Sequence, residues 1–252
     1  MSIDLHGRSV LVVGLGRSGL AAARLCRDRG ATLTVTDNRS AEQLSDVMTS
    51  LGADVRAELG LAAGALVVGC VGEVGWRKGQ EHVLAAADAL RERFPAVKWL
   101  VVGEGDGVAE LTARARSLGL LRDDRVRFLG FRRDVPAVLA ACDVLVLPSR
   151  SEGFPNTLLE GMALGLPVAA SRADGIPELV VDGETGLLHA VDDTAGFVED
   201  VSRLMDDGEL RARLGAAGAR RAREVFGQER VMGMVEECLC RWDPPAENHV
   251  DS

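Results

Sequence analysis

The sequence predicts an α/β fold built on Rossmann-like parallel sheets, and three features carry that reading. Short apolar runs alternate with helix-length amphipathic segments along most of the 252 residues. The runs are continuously apolar rather than alternating, as strands covered by helices on both faces should be. Glycines recur at the strand-to-helix joins, where the chain must turn tightly.

In the first block, SVLVVG (9–14) predicts a strand, RSGLAAARLCRDRG (17–30) a helix closed by Gly30, and TLTVTD (32–37) a second strand. AEQLSDVMTSLG (41–52) predicts a helix closed by Gly52, and ADVRAELG (53–60) a third short strand. Through Leu66 this block holds seven basic and seven acidic residues, so the net charge lies beyond it. A unit this small buries only about 60% of its unfolded surface and needs a partner surface.

The rhythm restarts at ALVVGCVGEV (65–74). Helices are expected at 82–94, 109–119, 135–142, 156–165 and 176–183, alternating with strands at 97–103, 126–130, 143–149, 166–171 and 185–190. Three further helices follow at 193–208, 208–227 and 228–242. We expect a partial Rossmann-like unit at 1–66, a larger α/β domain at 67–240, and a disordered tail at 241–252. In the Ala/Arg-rich stretch 209–223 and just beyond it, Glu209, Glu224 and Glu229 interleave with arginines, which predicts a solvated helix face with i/i+4 pairs. Met232 and Met234 read as core filling.

Composition excludes several functions. With 29 Lys plus Arg against 38 Asp plus Glu, the net charge is −9 and the pI about 5.1, so a nucleic-acid partner is not expected. No run reaches the 18 apolar residues of a membrane span, and no secretory leader is visible, so a cytoplasmic location is expected. Cys26, Cys70, Cys142, Cys238 and Cys240 include no C-x-x-C and read as small buried hydrophobes. His6, His82, His189 and His249 are not spaced as a ligand pair, so no metal is expected. Only Lys78 and Lys98 are lysines, the other 27 basic residues being arginine. Lys98 opens a strand and reads as a surface residue without a role.

Gly14, Gly16 and Gly19 form G-x-G-x-x-G between a strand and a helix, and Asp37 closes the second strand. Glycines there permit close backbone approach, helix N–H groups attract a phosphate, and a carboxylate can hold a ribose or base. A dinucleotide such as NAD, a mononucleotide and a structural turn all fit. The wording GRSVLVVGLGRSGLAAARLCRDRGATLTVTDNRS resembles the uridine-nucleotide-binding domain of the Mur ligases over about residues 7–59. That resemblance implies UDP contacts from Gly14, Gly16, Gly19, Asp37 and Asn38. The ligases' ATP loop, G-T-N-G-K-[ST], is absent from the sequence, so ligase activity is not expected.

The richest stretch is SEGFPNTLLEGMALGLPVAAS (151–171). Glu152 and Glu160 lie eight apart, and the preceding DVLVLPS places Glu152 in the loop beyond a parallel strand, where open sheets bind ligands. A helix beginning near Pro155 and Asn156 puts Glu160 about two turns along. Lys78, with Arg77 beside it, stands in a second such loop, GEVGWRKGQ, and offers a cation. Each residue alone is also explained as a cap or a solvated surface group. Together they fit a nucleotide sugar, whose hydroxyls need acceptors and whose diphosphate needs a cation and helix N–H groups.

Residues 68–240 resemble the donor-binding domain of family-four glycosyltransferases of the GT-B fold. The resemblance rests on Glu152-x7-Glu160, Lys78-Gly79, VVGEGDG, VRFLGFRRDVPAVLAACDVLVLPS and DGIPELVVDGETGLL. It implies that Glu152 binds the donor sugar near the reacting carbon, Glu160 the ribose, Lys78 the diphosphate, and the Phe131–Arg132 backbone the base. It also implies sugar and phosphate contacts from backbone N–H groups at Gly153, Phe154, Asn156 and Thr157. The sequence departs from the family where an arginine usually precedes the lysine by five residues: Glu73 stands there, with Arg77 as the candidate substitute. Only about 66 residues precede the donor domain, fewer than the family's acceptor domain needs. The implied activity is retaining transfer from a nucleotide sugar, a UDP-sugar foremost, with no other cofactor. The alternatives are a non-catalytic nucleotide-sugar module or chimera, and an NAD- or UDP-binding protein acting through the front loop. The acceptor and any homo-oligomer are left open.

Overall fold

The computed structural model describes residues 9–13, 32–36, 41–62 and 64–226. Strands β1 (Ser9–Val13) and β2 (Thr32–Thr36) pair in parallel, as the first block predicts. Helix α1 (Ala41–Glu58) follows. The larger sheet contains β3 (Val67–Val71), β4 (Lys98–Val102), β5 (Val126–Gly130), β6 (Val144–Leu147), β7 (Val168–Ser171) and β8 (Leu187–His189). All its pairs are parallel, in the spatial order β5-β4-β3-β6-β7-β8.

The helices of the larger unit are α2 (Gln80–Ala89), α3 (Val108–Ser117), α4 (Val135–Ala140), α5 (Asn156–Ala163), α6 (Ile176–Leu179), α7 (Thr194–Asp206) and α8 (Gly208–Phe226). Successive strand residues bury on opposite sides. Val67 and Val71 join Val55 of α1, Leu139 of α4 and Met162 of α5, while Val68 and Cys70 join Leu84 of α2 and Phe197 of α7. Two helical layers therefore cover the sheet, which is why its strands carry no polar face. Burial pushes the Cys70 and Cys142 thiols up to about 12, so both are neutral core residues. Among the described residues no helix is long and apolar enough to cross a membrane, and no group of three or more His, Cys, Asp or Glu is placed to hold a metal.

Two expectations fail at α1. Gly52 does not close the helix, which runs through it to Glu58, and residues 53–58 are helix rather than strand. Gly52 is a contact residue: a Cβ there would come 2.4 Å from the Ala140 carbonyl oxygen of α4. Arg56 fixes the same contact. Its guanidinium donates to Ala141 O (2.9 Å), Ala65 O (3.0 Å) and Asp143 Oδ2 (2.7 Å), and Asp143 Oδ2 also accepts from Val67 N (2.8 Å). The second half of α1 is thereby bolted to the start of β3 and the end of α4.

The long basic residues behave differently from expectation. Lys98 has a role: its ammonium donates to Asp124 O (2.7 Å) and Oδ2 (3.0 Å), pinning the turn before β5. On α8, Arg211 donates to Leu204 O and Met205 O, and Arg221 to Leu179 O and Glu178 O, so these arginines cap the C-termini of α7 and α6 rather than pairing along their own helix. Gly30, Cys26, His6, the segment 17–30 and residues beyond 226, including Glu229, Met232, Met234, Cys238, Cys240 and His249, lie outside the described residues.

Gly52→Val should push α1 off α4 and lower the unfolding free energy by about 2 kcal/mol, read from denaturant midpoints. Hydrogen bonds from Arg127 and Lys98 hold the Asp124 carboxyl down at about 2, below its ordinary 3.8. A carboxyl lowered in the folded state stabilises above its unfolded value and loses that contribution on acidification. Asp124→Asn should therefore cost under about 1 kcal/mol at neutral pH, allowing for solvent screening. The gap from the parent should close between about pH 4 and pH 2 in acid-unfolding curves.

Candidate functional site

Chain order runs outward from β3 to β4 and β5 on one side and from β6 to β7 and β8 on the other, so the direction reverses between β3 and β6. Loops leaving the carboxyl ends of those two strands diverge and leave a crevice. The loop after β3 carries Lys78 and the loop after β6 carries Glu152. They meet there: Lys78 Nζ lies 2.5 Å from Glu152 Oε1, with side chains 16% and 5% exposed.

Each loop is held by its own residues. After β3, buried Gln80 donates to Glu73 O (2.7 Å) and accepts from Gly75 N (3.2 Å), closing the bend. Trp76–Lys78 then forms a single 3₁₀ turn, with Lys78 N donating to Gly75 O (3.0 Å). Gly79 ends the turn at φ 64°, and a Cβ there would sit 2.1 Å from Pro148 O. Only glycine satisfies both conditions, so the two loops touch backbone to backbone.

After β6, fully buried Ser149 donates its hydroxyl to Glu152 Oε1 (2.7 Å), and the Ser171 hydroxyl of β7 donates to Ser149 O. Glu152 N donates to Asp174 Oδ2 (3.0 Å), and Glu152 O accepts from Gly175 N (3.1 Å). The Ser151 hydrogen bond, with that from Glu152 N–H, holds the Asp174 carboxyl below its usual range. Both side-chain hydrogen bonds to Glu152 fall on Oε1.

Helix α5 begins at Asn156 behind Pro155, as expected, and Glu160 lies exposed on it. Partial desolvation holds the Glu160 carboxyl above its ordinary value. Among the described residues, neither Glu160 nor Arg77 has a side-chain partner, and no backbone acceptor receives the N–H groups of Gly153, Phe154, Asn156 or Thr157. Phe131 and Phe154 are exposed at the carboxyl-end loops of β5 and β6, Phe154 meeting Phe226 edge-to-face at 6.0 Å. The Arg132 side chain is fully occupied, bidentate to Glu58 (2.5 and 3.0 Å) and to Asp134 (both 2.8 Å), so only its backbone is free for a ligand. Gly14, Gly16, Gly19, Asp37 and Asn38 lie outside the described residues.

The family model described as glycosyl transferases group 1 matches residues 53–221. The chain belongs to that family. It is 36% identical over 174 residues to the D-inositol 3-phosphate glycosyltransferase of Corynebacterium efficiens, covering 67% of this chain and 41% of the relative. It is 35% identical over 198 residues to the lipopolysaccharide core biosynthesis mannosyltransferase LpsB of Rhizobium meliloti, covering 75% and 56%. Crystalline HepE of Anabaena in complex with UDP superposes with a TM-score of 0.72 at 27% identity, over 92% of this chain and 64% of that one. The C-terminal domain of a group 1 glycosyl transferase of Francisella tularensis, LpcC, superposes at 0.63 with 25% identity, over 72% of this chain and 93% of that domain. The chain thus spans about half the length of the curated relatives it matches.

The resemblance to the Mur ligases finds no support here. The group 1 match takes up residues from 53 onward, and the HepE superposition covers 92% of the chain. Lys78 and Glu152, singled out in the sequence, are brought into contact by the fold. Ser149, Asp174, Gln80 and Arg150 escaped sequence reading. Ser149 and Asp174 close and open quoted motifs without standing out in them, while Gln80 opens α2 and Arg150 lies in the loop before Glu152, so position was their one signal. Gly79→Ala should add both a left-handed strain and a collision with Pro148 O, costing about 3 kcal/mol by chemical denaturation and loosening the Lys78–Glu152 contact.

Proposed function

We propose that this chain binds a nucleotide sugar, a UDP-sugar foremost, across the β3 and β6 loops and takes part in retaining transfer of its glycosyl group to an acceptor. The observation that carries the reading is the 2.5 Å contact between Lys78 and Glu152, residues 74 apart in sequence, at the point of strand-order reversal. The HepE complexes with UDP and with UDP-glucose support a uridine nucleotide.

In this reading the diphosphate takes Lys78, helped by Arg77 because Glu73 occupies the usual arginine position. Glu152, held through Oε1, presents Oε2 to a donor-sugar hydroxyl near the reacting carbon. Glu160 accepts from the ribose, and the free N–H groups of Gly153, Phe154, Asn156 and Thr157 take sugar and phosphate oxygens. The Phe131–Arg132 backbone holds the base. When the bond between the anomeric carbon and the diphosphate oxygen breaks, negative charge grows on the leaving group. Lys78 and the α5 N-terminus stabilise that charge in place, without reorganisation. The acceptor oxygen bonds to the same face of the carbon and passes its proton to the departing diphosphate oxygen.

Calorimetric titration of the purified chain should show binding of UDP over GDP, ADP and NAD. Lys78→Ala should raise the Kd for UDP by at least about tenfold, the worth of one charge-assisted phosphate contact. Unchanged UDP affinity in that variant, or binding of NAD alone, would sink the assignment.

A further inference from the structure

Arg150 stands two residues before Glu152 and touches neither member of the ion pair. Its Nη1 donates to Trp76 O (2.6 Å), its Nη2 to Glu81 Oε1 (2.5 Å), and its Nε lies 2.7 Å from Asp192 Oδ1. Its guanidinium carbon lies 5.0 Å over the Trp76 ring, and its backbone N–H donates to Arg77 O (2.7 Å). These partners come from three places: the turn that carries Lys78, the first turn of α2, and the loop between β8 and α7. Asp192 is itself 3.3 Å from His82 Nε2, and His82 Nδ1 is 2.7 Å from Thr194 Oγ1, so the far anchor is tied to α2 and α7.

Two carboxylates neutralise this one guanidinium, and three sides of its fork are used. Arg150 therefore has little to offer a phosphate, although it stands beside the site. Trp76 is 72% exposed, so burial does not anchor it. Besides the Gln80 clasp, the Gly79 approach to Pro148 and the Lys78–Glu152 pair, the Trp76 end of the turn is fixed by Arg150 reaching across from the Glu152 loop.

We propose that Arg150 is a positioning residue of the donor site, a brace that clamps the Lys78 turn against the Glu152 loop and so sets the distance between ammonium and carboxylate. Its effect on donor affinity rests on the donor-binding reading above. The brace itself rests on contacts within the protein alone. Arg is suited to it because a planar fork reaches a carbonyl, two carboxylates and a ring face at once, which lysine cannot do.

The test compares the full chain with Arg150→Met, Arg150→Lys and the double variant Glu81→Gln/Asp192→Asn, by amide hydrogen exchange and by UDP titration. In Arg150→Met, peptides spanning 72–79 and 148–155 should exchange about tenfold faster while the unfolding temperature moves by only a few degrees. The Kd for UDP should rise about tenfold. Arg150→Lys should restore only part of both effects, and the double variant should loosen the same peptides and weaken UDP binding about threefold. Unchanged exchange of those two peptides in Arg150→Met overturns the brace, whatever UDP does. Tighter UDP binding in the double variant, with binding abolished in Arg150→Met, would make Arg150 a phosphate ligand instead. If the parent chain does not bind UDP, the donor reading fails and exchange alone decides the brace. If Arg150→Met does not fold, the double variant and Arg150→Lys decide it.

Discussion

An ammonium and a carboxylate, both largely withdrawn from water, touch where the strand order of the sheet reverses, and the loops around them are built to keep them there. Burying two charges costs several kcal/mol per ion, which their attraction offsets only with good geometry and further hydrogen bonds. The Ser149 hydroxyl supplies one such bond to Glu152, and Ser171 fixes Ser149 in turn. Asp174 and Gly175 hold the peptide groups on either side of the Glu152 side chain. Cys70, in the strand beneath, is buried and kept neutral, with Lys78 opposing the rise and Glu152 adding to it, so the thiol adds no charge beneath the pair.

Charge around the site is allocated closely. Arg132 is consumed by Glu58 and Asp134, and Arg150 by Glu81 and Asp192. In a chain of net charge −9, this leaves Lys78 and Arg77 as the cations of the β3 loop able to meet an anion. On the donor-binding reading proposed above, Lys78 would exchange one anion for another. An incoming diphosphate would replace Glu152 at the ammonium and leave the carboxylate free to accept from a hydroxyl. On that reading the pair holds both halves of a donor site as a mutually neutralised contact.

The sheet and the motif pair were legible because their signals are local. β3, β4, β6 and β7 are apolar runs placed by their length and by bordering glycines or, for β6, Asp143 and Pro148, and Glu152 and Lys78 follow by counting from strand ends. What escaped depends on partners distant in sequence. Gly52 looks like a helix stop when read with its neighbours, but the reason for glycine is the carbonyl of Ala140, 88 residues away. The arginines of α8 resemble an i/i+4 ladder until α6 and α7 arrive with unpaired C-terminal carbonyls. Arg150 and Asp192 are ordinary loop residues in sequence, and only the third loop at the sheet's carboxyl edge unites them.

The scarcity of lysine sharpens the same point. Arginine here serves wherever several acceptors must be tied at once: Arg56 joins α1 to β3 and α4, while Arg125 holds the carbonyls of Arg91, Phe94 and Pro95 behind α2. Such forks are stable because they are multidentate, and for the same reason they are slow to trade partners. Lys98 binds two atoms of a single residue, and Lys78 binds one carboxylate oxygen. An ammonium that holds one oxygen on a flexible stem can release it to a phosphate within the same small volume. An arginine at position 78 would grip Glu152 through both oxygens and need more room beside Ser149. On the proposed donor reading, lysine at this position suits a site that swaps a carboxylate for a diphosphate, and the multidentate arginines around it would keep that swap from moving the loops.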